Sequence, residues 1–300
     1  MPALADRRWQ CGGGKHPLHI ALEKIPLTVC RGPGLTRSGI ITLTTDFGES
    51  DPYVAMMKAV ILSINPAARI IDITHQVTAG SIQEGGSIIK EAYTYFPSGT
   101  VHIGVIDPGV GSKRRPIAVL GDNHLFVGPD NGLFWPVIET QGEKDIIHLK
   151  EKRYWLHKIS PTFHGRDIFA PVAAHLSLGV NPFLLGERID NPNALASPLP
   201  FKKNRDLVGE VIRVDHFGNI ITNITREHLS PFLESKGLII KIGGLVLKKI
   251  STTYDDVAQG EPLALIGSSD HLEIAVNMGR ATNYLGQQSV VGTKVIVKLS

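Results

Sequence analysis

Short apolar runs alternate with segments of helical periodicity from Gly39 to about residue 190. The runs predict strands at Ile40–Leu43, Ala68–Ile73, Thr100–Ile106, Ile117–Leu120 and Leu125–Val127, and the periodic segments predict helices at Val54–Ile64, Ile82–Tyr95 and Asp167–Leu178. Ser50 or Asp51 is expected to cap the first helix, and Pro52 suits its first turn. Because strands that alternate with helices are typical of a mostly parallel sheet covered by helices, the sequence predicts an α/β domain over residues 39–190.

Beyond this domain the pattern changes to short strand-like runs separated by glycine turns. The runs are Val208–Val214, Ile220–Ile224, Leu238–Ile242, Leu245–Ile250, Leu263–Ile266, His271–Val276 and Thr293–Val297. They predict an all-β C-terminal domain over residues 207–300, a small barrel-like unit or sandwich, with a hairpin turn at Phe217-Gly218-Asn219. Asn, Pro and Ser are frequent from residue 190 to 200, and a linker is predicted over 191–206.

Residues 1–38 lack sustained periodicity and contain a Gly-Gly-Gly run and an RGPG turn, so they are predicted to form a weakly ordered extension. Both cysteines, Cys11 and Cys30, lie in this stretch, where a disulfide or a metal pair between them stays open as an alternative. The body of the chain has no cysteine, which fits a reducing cytosol and predicts a cytoplasmic protein.

The net charge of +3 comes from the N-terminal stretch. Residues 1–38 hold six basic and two acidic side chains, a net charge of +4, so the remaining chain carries −1. A nearly neutral body gives no electrostatic footprint for nucleic acid. No apolar run approaches the roughly 20 residues that span a bilayer, and the basic N-terminus lacks the apolar segment of a signal peptide. The sequence therefore predicts neither a nucleic-acid nor a membrane partner.

Two acidic residues, Asp46 and Asp107, each follow a predicted strand. The carboxyl ends of strands in an open α/β sheet are where ligands bind, and a carboxylate there can accept hydrogen bonds from a ribose diol. The alternative is a turn-forming aspartate, which is common before glycine and proline. Two such strand ends in one sheet favour the binding role.

Arg114 and His164 are the other candidates for chemistry in this domain. Arg114 follows Asp107 by seven residues, close enough to fold back onto it, although such a pair is often only structural. His164 lies between Phe163 and Gly165, a setting that would expose the imidazole in a cleft. There it could act as a general base or orient a water molecule, whereas a lone histidine is more often structural.

In the β domain, Asn219 could read a purine edge with its amide, and Tyr254 could stack on a base. Ser268 and Ser269 could hold a carboxylate or an amine. The alternatives are turn chemistry for Asn219, turn capping for the serines and a core position for Tyr254.

Several other kinds of site are not indicated. The polar residues His75, His102, His124, Glu84 and Asp122 do not have the spacing of metal ligands, so no metal is predicted. The chain lacks a GxGxxG fingerprint, a Walker loop and a nucleophile elbow around a serine.

Six motifs occur in order along the chain: TDFG at 45–48, DPGVG at 107–111 followed by Arg114, GPDNG at 128–132, TFHGRD at 162–167, DHFGN at 215–219 and SSDHLEIAVN at 268–277. Together they resemble the S-adenosyl-L-methionine (SAM) hydroxide adenosyltransferase family, the SAM hydrolases, which are relatives of the fluorinases and chlorinases. The resemblance covers the chain from about Ile40 to its C-terminus, and only residues 1–38 fall outside.

The resemblance implies a two-domain fold and a homotrimer, with SAM bound between the first domain of one subunit and the second domain of its neighbour. Water or hydroxide would displace methionine from the ribose 5′ carbon and give adenosine and L-methionine, with SAM as the substrate and no cofactor. The water-activating set falls on Asp107, Arg114 and His164, and the ribose-diol carboxylate on Asp46. The other positions implied to bind SAM or adenosine are Asp51, Asp215, Asn219, Tyr254, Ser268, Ser269, Glu273, Val276 and Met278.

Three rival functions stay open from the sequence. A SAM-dependent halogenase is the nearest, but halogenases lack the Asp–Arg–His set and carry an insertion that is absent here. A SAM or adenosine sensor without useful turnover would use the same binding residues. A metal-dependent phosphate-ester hydrolase that uses the acidic strand ends is the third.

Overall fold

Two sheets organise the chain in the computed structural model, which describes residues 37–195, 198–233, 237–286 and 290–300. The first sheet lies between residues 40 and 189 and the second between residues 201 and 299. The predicted weak order of residues 1–38 falls almost entirely outside the described residues, as do Cys11 and Cys30.

The first sheet has seven strands in the order β2-β1-β3-β5-β4-β6-β7. They are β1 (Ile40–Thr45), β2 (Arg69–Thr74), β3 (Val101–Val105), β4 (Pro116–Leu120), β5 (Leu125–Pro129), β6 (Asp145–Leu149) and β7 (Gly186–Ile189). The pairs β2–β1, β1–β3 and β3–β5 are parallel, and β4 and β7 run against their neighbours, so five of the seven strands share one direction. The predicted mostly parallel sheet is confirmed.

Helices cover both faces of this sheet, as predicted. The chain forms α1 (Tyr53–Ile64), α2 (Ile82–Ala92), α3 (Trp135–Ile138), α4 (Ala170–Ser177) and, in the second half, α5 (Arg226–Leu233). Alternate residues along β5 show the two layers: Leu125 and Val127 share a core with α1 and α4, whereas Phe126 packs with α2 and α3. Pro52 occupies the N-cap position of α1 without a side-chain hydrogen bond, so the capping expected from Ser50 or Asp51 was wrong.

The second sheet is almost entirely antiparallel and curls until β12 approaches β14. Its strands are β8 (Phe201–Lys203), β9 (Asp206–Val214), β10 (Ile220–Thr225), β11 (Leu238–Ile242), β12 (Leu245–Leu247), β13 (Ile250–Ser251), β14 (Pro262–Ile266), β15 (His271–Val276) and β16 (Lys294–Leu299). The order is β12-β11-β16-β9-β10-β15-β14-β13, with β8 on β9. This confirms the all-β, barrel-like prediction, and β9 and β10 form the expected hairpin with Gly218 at a φ of +86°.

Five of the named helices and strands were not predicted from the sequence: α3, β6, β7, β8 and α5. Among them, β7 and β8 are short and largely exposed, so neither carries a continuous apolar run. The α5 helix contains Pro231 and buries only Leu229 and Phe232, which leaves a weak helical pattern. Pairing with β6 and β9, rather than local preference, therefore forms β7 and β8.

Candidate active site

The edge where β1 and β3 end brings the two predicted carboxylates together. These strands are parallel neighbours, with Thr45 opposite Val105, so Asp46 and Asp107 emerge at the same edge. From the end of β1 the chain continues to β2 on one side, and from the end of β3 it continues to β4 on the other side, so it leaves these two neighbouring strands in opposite directions. Such a switch in strand order opens a crevice at the carboxyl ends of the strands, which is where open α/β sheets bind ligands.

Arg114 joins Asp107 to His164 at this edge. Its Nε donates to Asp107 Oδ1 at 2.8 Å, and its second terminal nitrogen donates both to Asp107 Oδ2 and to His164 Nδ1, the latter at 2.9 Å. The Asp107 and Arg114 side chains are 4% and 7% exposed, and the guanidinium lies over the Phe169 ring. Asp107 and Arg114 thus form a buried ion pair with two hydrogen bonds, a geometry that fixes the orientation of the planar guanidinium.

The arginine also determines the hydrogen positions on His164. A guanidinium only donates hydrogen bonds, so Nδ1 of His164 is the acceptor and the neutral ring carries its hydrogen on Nε2. Burial lowers the pKa of His164, and the positive charge of Arg114 lowers it further, against the opposing effects of Asp107 and Asp167. At neutral pH the ring is therefore neutral, with Nε2–H as its free donor.

Two loops are packed together to hold this arrangement. Gly111, at a φ of +77°, lies so close to Pro161 that a Cβ would stand 2.3 Å from the carbonyl oxygen of Pro161. Asp167 is fully buried and accepts hydrogen bonds from the Ser160 backbone at 2.7 Å and from Arg166. His164 lies at the start of a π-helical turn that leads into α4, a feature often found at functional sites. The local backbone thus determines where the imidazole lies.

A cavity of about 130 Å³ opens beside these groups. Its wall is formed by Asp46, Phe47, Gly80, Val105, Asp107, Pro108, Val110, Thr162, Phe163, His164 and Gly165. Phe47 and Phe163 meet edge to face at 5.9 Å between ring centroids. Neither phenylalanine was predicted as a site residue. Their positions within motifs, Phe47 in TDFG and Phe163 in TFHGRD, were the sequence signal that could have identified them.

A second cluster of predicted residues lies in the β domain. Asp215 accepts hydrogen bonds from the backbone and side-chain amides of Asn219 at 2.8 and 3.0 Å. Tyr254, in a turn capped by Thr253, donates its hydroxyl to Glu273 at 2.6 Å. Burial raises the pKa of Glu273 and so does the neighbouring Asp215, against the hydrogen bond from Tyr254. Burial and Glu273 also raise the pKa of Tyr254.

The remaining predicted residues join neither cluster through a hydrogen bond. Asp51 is exposed ahead of α1 and does not line the cavity. Ser268 and Ser269 form the turn between β14 and β15, Val276 is buried at the end of β15, and Met278 is 82% exposed. For all five, a role in binding stays a prediction.

Neither a membrane span nor a metal cluster occurs in the part of the chain that the structure describes. None of its helices is long and apolar enough to cross a bilayer. No three or more His, Cys, Asp or Glu side chains of residues 37–195, 198–233, 237–286 and 290–300 are grouped as metal ligands.

Comparison with known proteins identifies the family. Residues 41–186 match the SAM hydroxide adenosyltransferase N-terminal domain, and residues 209–291 match the C-terminal domain. This chain belongs to the SAM hydroxide adenosyltransferase family. The resemblance inferred from the motifs is therefore confirmed.

Individual relatives span nearly the whole fold. An (R)-S-adenosyl-L-methionine hydrolase from Salinispora tropica is 37% identical over 82% of this chain and 93% of its own length. A fluorinase from Actinoplanes sp. is 27% identical over 79% of this chain and 91% of its own. The crystal structure of an uncharacterized conserved protein from Thermotoga maritima, 36% identical, superposes with a TM-score of 0.80 and covers 86% of this chain and 99% of that one.

Proposed function

We propose that this protein hydrolyses SAM to adenosine and L-methionine by in-line attack of water or hydroxide on the ribose 5′ carbon. The observation that carries the proposal is the single guanidinium of Arg114 that holds both Asp107 and His164 beside the cavity at the β1–β3 edge. Membership of the family and the hydrolase name of the Salinispora tropica relative support the same reaction.

The reaction depends more on the alignment of the attacking water oxygen than on a strong base. The oxygen of water forms a bond to C5′ while the C5′–S bond breaks and its electron pair returns to sulfur, which leaves as the neutral thioether of methionine. Because a sulfonium is already a good leaving group, we expect no metal or cofactor. Holding the attacking oxygen in line can supply several kcal/mol through proximity alone, about 7–11 kcal/mol at the upper end of model reactions.

The hydrogen positions support distinct roles within the Asp–Arg–His set. With Nδ1 accepting from Arg114 and Nε2 already carrying a hydrogen, neutral His164 orients the water as a donor and does not remove its proton. Asp107 accepts two hydrogen bonds from Arg114, and a carboxylate has about four lone-pair sites, so Asp107 is the member able to take the proton.

The other residues divide between the two ends of the substrate. Asp46 accepts one hydrogen bond from the Gly80 backbone at 2.8 Å, and its second oxygen is free to accept from the ribose diol. Asn219 is held by Asp215 and offers its amide oxygen to the adenine amine. Asp215 supplies negative charge near the methionine end, for its ammonium, and Glu273 lies on β15, the strand proposed to bind adenosine. Asp51, Tyr254, Ser268, Ser269, Val276 and Met278 complete the proposed binding set.

We infer a cytoplasmic homotrimer in which each site forms between two subunits. No hydrogen bond or ion pair among the described residues joins the edge set, which is Asp107, Arg114 and His164, to the cluster around Asp215. Two halves that complete each other across an interface would explain this separation, and light scattering that shows a monomer would contradict it.

The first test incubates the purified protein with SAM in oxygen-18 water with chloride or fluoride present, and separates the products by chromatography and mass spectrometry. Methionine and adenosine that carries oxygen-18 at the 5′ position are expected. A halogenated deoxyadenosine would show a halogenase, and SAM binding without product would show a sensor.

Variants of the edge set make this test specific. Asp107→Ala and His164→Ala are expected to lower turnover by about 100-fold or more with SAM binding nearly unchanged, since both residues act on the attacking water. His157→Ala, at an exposed histidine outside the cavity, is the control. Near-normal turnover in both edge variants would remove this set from the mechanism.

A further inference from the structure

The turn that carries Asp46 is fastened to the segment that follows β2. The Gly48 backbone amide donates to the carbonyl of His75 at 2.8 Å, and the Gly80 amide donates to Asp46 Oδ2 at 2.8 Å. The position of the Asp46 carboxylate therefore depends on where residues 75–80 lie.

The side chain of His75 adds a buried link between the same two segments. Its Nδ1 lies 2.9 Å from the hydroxyl of Thr45, the residue before Asp46, and that hydroxyl accepts from the Phe47 amide at 3.3 Å. Thr45 and His75 are 0% and 5% exposed. The imidazole thus holds the hydroxyl that in turn holds the backbone on the far side of Asp46.

A carboxylate faces the ring of His75 on its outer side. Its Nε2 lies 3.1 Å from Asp72 Oδ1, a contact whose angle is poorer than that of a good hydrogen bond. Lys58 donates to the other oxygen of Asp72 at 2.5 Å. Burial opposes ionisation of Asp72, but the contacts with Lys58 and His75 outweigh it and keep its pKa below the usual value. Because Nε2 faces a carboxylate, it carries a hydrogen, and the Thr45 hydroxyl, which accepts from the Phe47 amide, is placed to donate to Nδ1.

The order aspartate, histidine, hydroxyl is that of a nucleophilic triad, but the geometry excludes that role. The Thr45 hydroxyl is buried inside the sheet edge, is not part of the cavity wall and already uses its oxygen as an acceptor. A nucleophile must reach a substrate. The three residues are therefore placed to hold the turn.

We propose that His75 is a positioning residue: with Asp72 behind it and Thr45 in front, it fixes the Asp46 carboxylate for the ribose hydroxyls. The proposal rests on the proposed function, because it takes Asp46 to be the ribose ligand. It predicts that loss of His75 weakens recognition of the ribose hydroxyls specifically, without a comparable loss for the rest of the nucleoside.

The test compares adenosine with 2′-deoxyadenosine by calorimetry on the full-length protein. The wild type is expected to bind adenosine about tenfold or more tightly, the value of a hydrogen bond to a charged group. His75→Ala should lower the affinity for adenosine by about the same factor and change that for 2′-deoxyadenosine by less than about twofold, so that the ratio falls towards one. His75→Asn, which can still accept from Thr45, should restore part of the ratio.

His102 provides a matched control. It is also buried and also contacts a β1 hydroxyl through Nδ1, at 2.8 Å from Thr42, but it lies inside the sheet away from Asp46. His102→Ala should cost stability without changing the adenosine ratio. Should His75→Ala fail to fold, Thr45→Val removes the hydroxyl alone and is expected to lower the ratio in the same direction.

The outcomes separate this proposal from the proposed function. If the wild type hydrolyses SAM and prefers adenosine, but His75→Ala and Thr45→Val keep that preference, the positioning role is wrong. If His75→Ala weakens the binding of adenosine and of 2′-deoxyadenosine equally, and His102→Ala does the same, His75 is only a packing residue. The positioning role would then be wrong too. Absence of SAM hydrolysis would overturn the proposed function alone, because the ratio is measured by binding without turnover.

Discussion

The two clusters of candidate residues differ in how completely their charges are matched. At the β1–β3 edge, Asp107 is neutralised by a bidentate Arg114, and His164 is kept neutral beside it. In the β domain, Asp215 and Glu273 are both acidic, and no lysine or arginine donates a hydrogen bond to either within the described residues. Within the part of the chain that the structure describes, the first cluster is balanced in charge without a ligand, although Nη1 of Arg114 is buried without a hydrogen-bond partner, whereas the second has no hydrogen-bonded cation.

This difference indicates a division of labour. A preorganised network does not need to rearrange when charge moves during a reaction, so it suits the group that aligns the water. An acidic cluster in which burial already raises the pKa of Glu273 gains when a positive ligand arrives. SAM carries both an ammonium and a sulfonium, so under the proposed function the β domain supplies negative charge for binding, and Asp107, Arg114 and His164 at the sheet edge align the water beside the ribose ligand Asp46.

Among these variants, Arg114→Met is expected to have the largest effect on turnover and stability, and so to test the charge balance of the sheet-edge cluster most directly. We expect turnover to fall by about a thousandfold, because both Asp107 and His164 lose their common partner. The free energy of unfolding should fall by about 3–5 kcal/mol, since Asp107 keeps a buried charge without a partner. Enzyme assays and chemical denaturation measure the two effects.

The double variant Asp107→Asn with Arg114→Met serves as the control for that prediction. Removing the buried charge as well should recover most of the lost stability but none of the turnover. Full stability in Arg114→Met alone would contradict the buried ion pair, and recovery of turnover in the double variant would contradict the role of Asp107.

The acidic cluster is tested by Glu273→Gln, with a smaller expected effect. The variant should raise the KM for SAM by about tenfold and leave kcat nearly unchanged, because Glu273 is proposed to bind the substrate and not to act on the attacking water. The effect should grow with pH, since the pKa of Glu273 is raised and its charge is complete only at higher pH.

Steady-state kinetics at two pH values measure this change. Glu227→Gln, at an exposed carboxylate on α5, is the matched control and should change neither constant. If Glu273→Gln lowers kcat and leaves KM unchanged, Glu273 acts in the chemical step and not in substrate binding.

The edge cluster, which is Asp46, Asp107, Arg114 and His164, was predictable from the sequence because most of its signals lie in short local segments. Asp46 and Asp107 directly follow apolar runs, and parallel neighbouring strands bring such positions to one edge. Arg114 lies only seven residues after Asp107, so its pairing needs one turn. The contact between Arg114 and His164 crosses 50 residues and depends on tertiary packing, such as that of Gly111 on Pro161.

Contacts that depend on tertiary placement were beyond the sequence pattern. His75 was considered only as a metal ligand, because nothing local shows that its ring reaches Thr45 across the β1–β2 pair. The strands β7 and β8 are exposed and short, so their positions follow from the strands they pair with rather than from their own residues.

The pH dependence of the edge cluster is the smallest effect and the sharpest test of its hydrogen bonds. Burial and then Arg114 lower the pKa of His164 below 6.5, so kcat/KM should stay level as the pH falls through 6.5 and decline only at lower pH. Because the folded pKa is the lower one, the neutral ring contributes stability that is present above 6.5 and lost as the pH falls below it.

Titration of the His164 imidazole by NMR, alongside kcat/KM, checks the sign. Asp107→Asn removes an opposing charge that raises this pKa, so the midpoint should move to still lower pH in that variant. A midpoint above 6.5 in the wild type would mean that Asp107 outweighs burial and Arg114 together. The protonated ring would then present hydrogen at Nδ1 towards a guanidinium that only donates, and the hydrogen bond on which the edge cluster depends could not exist as described.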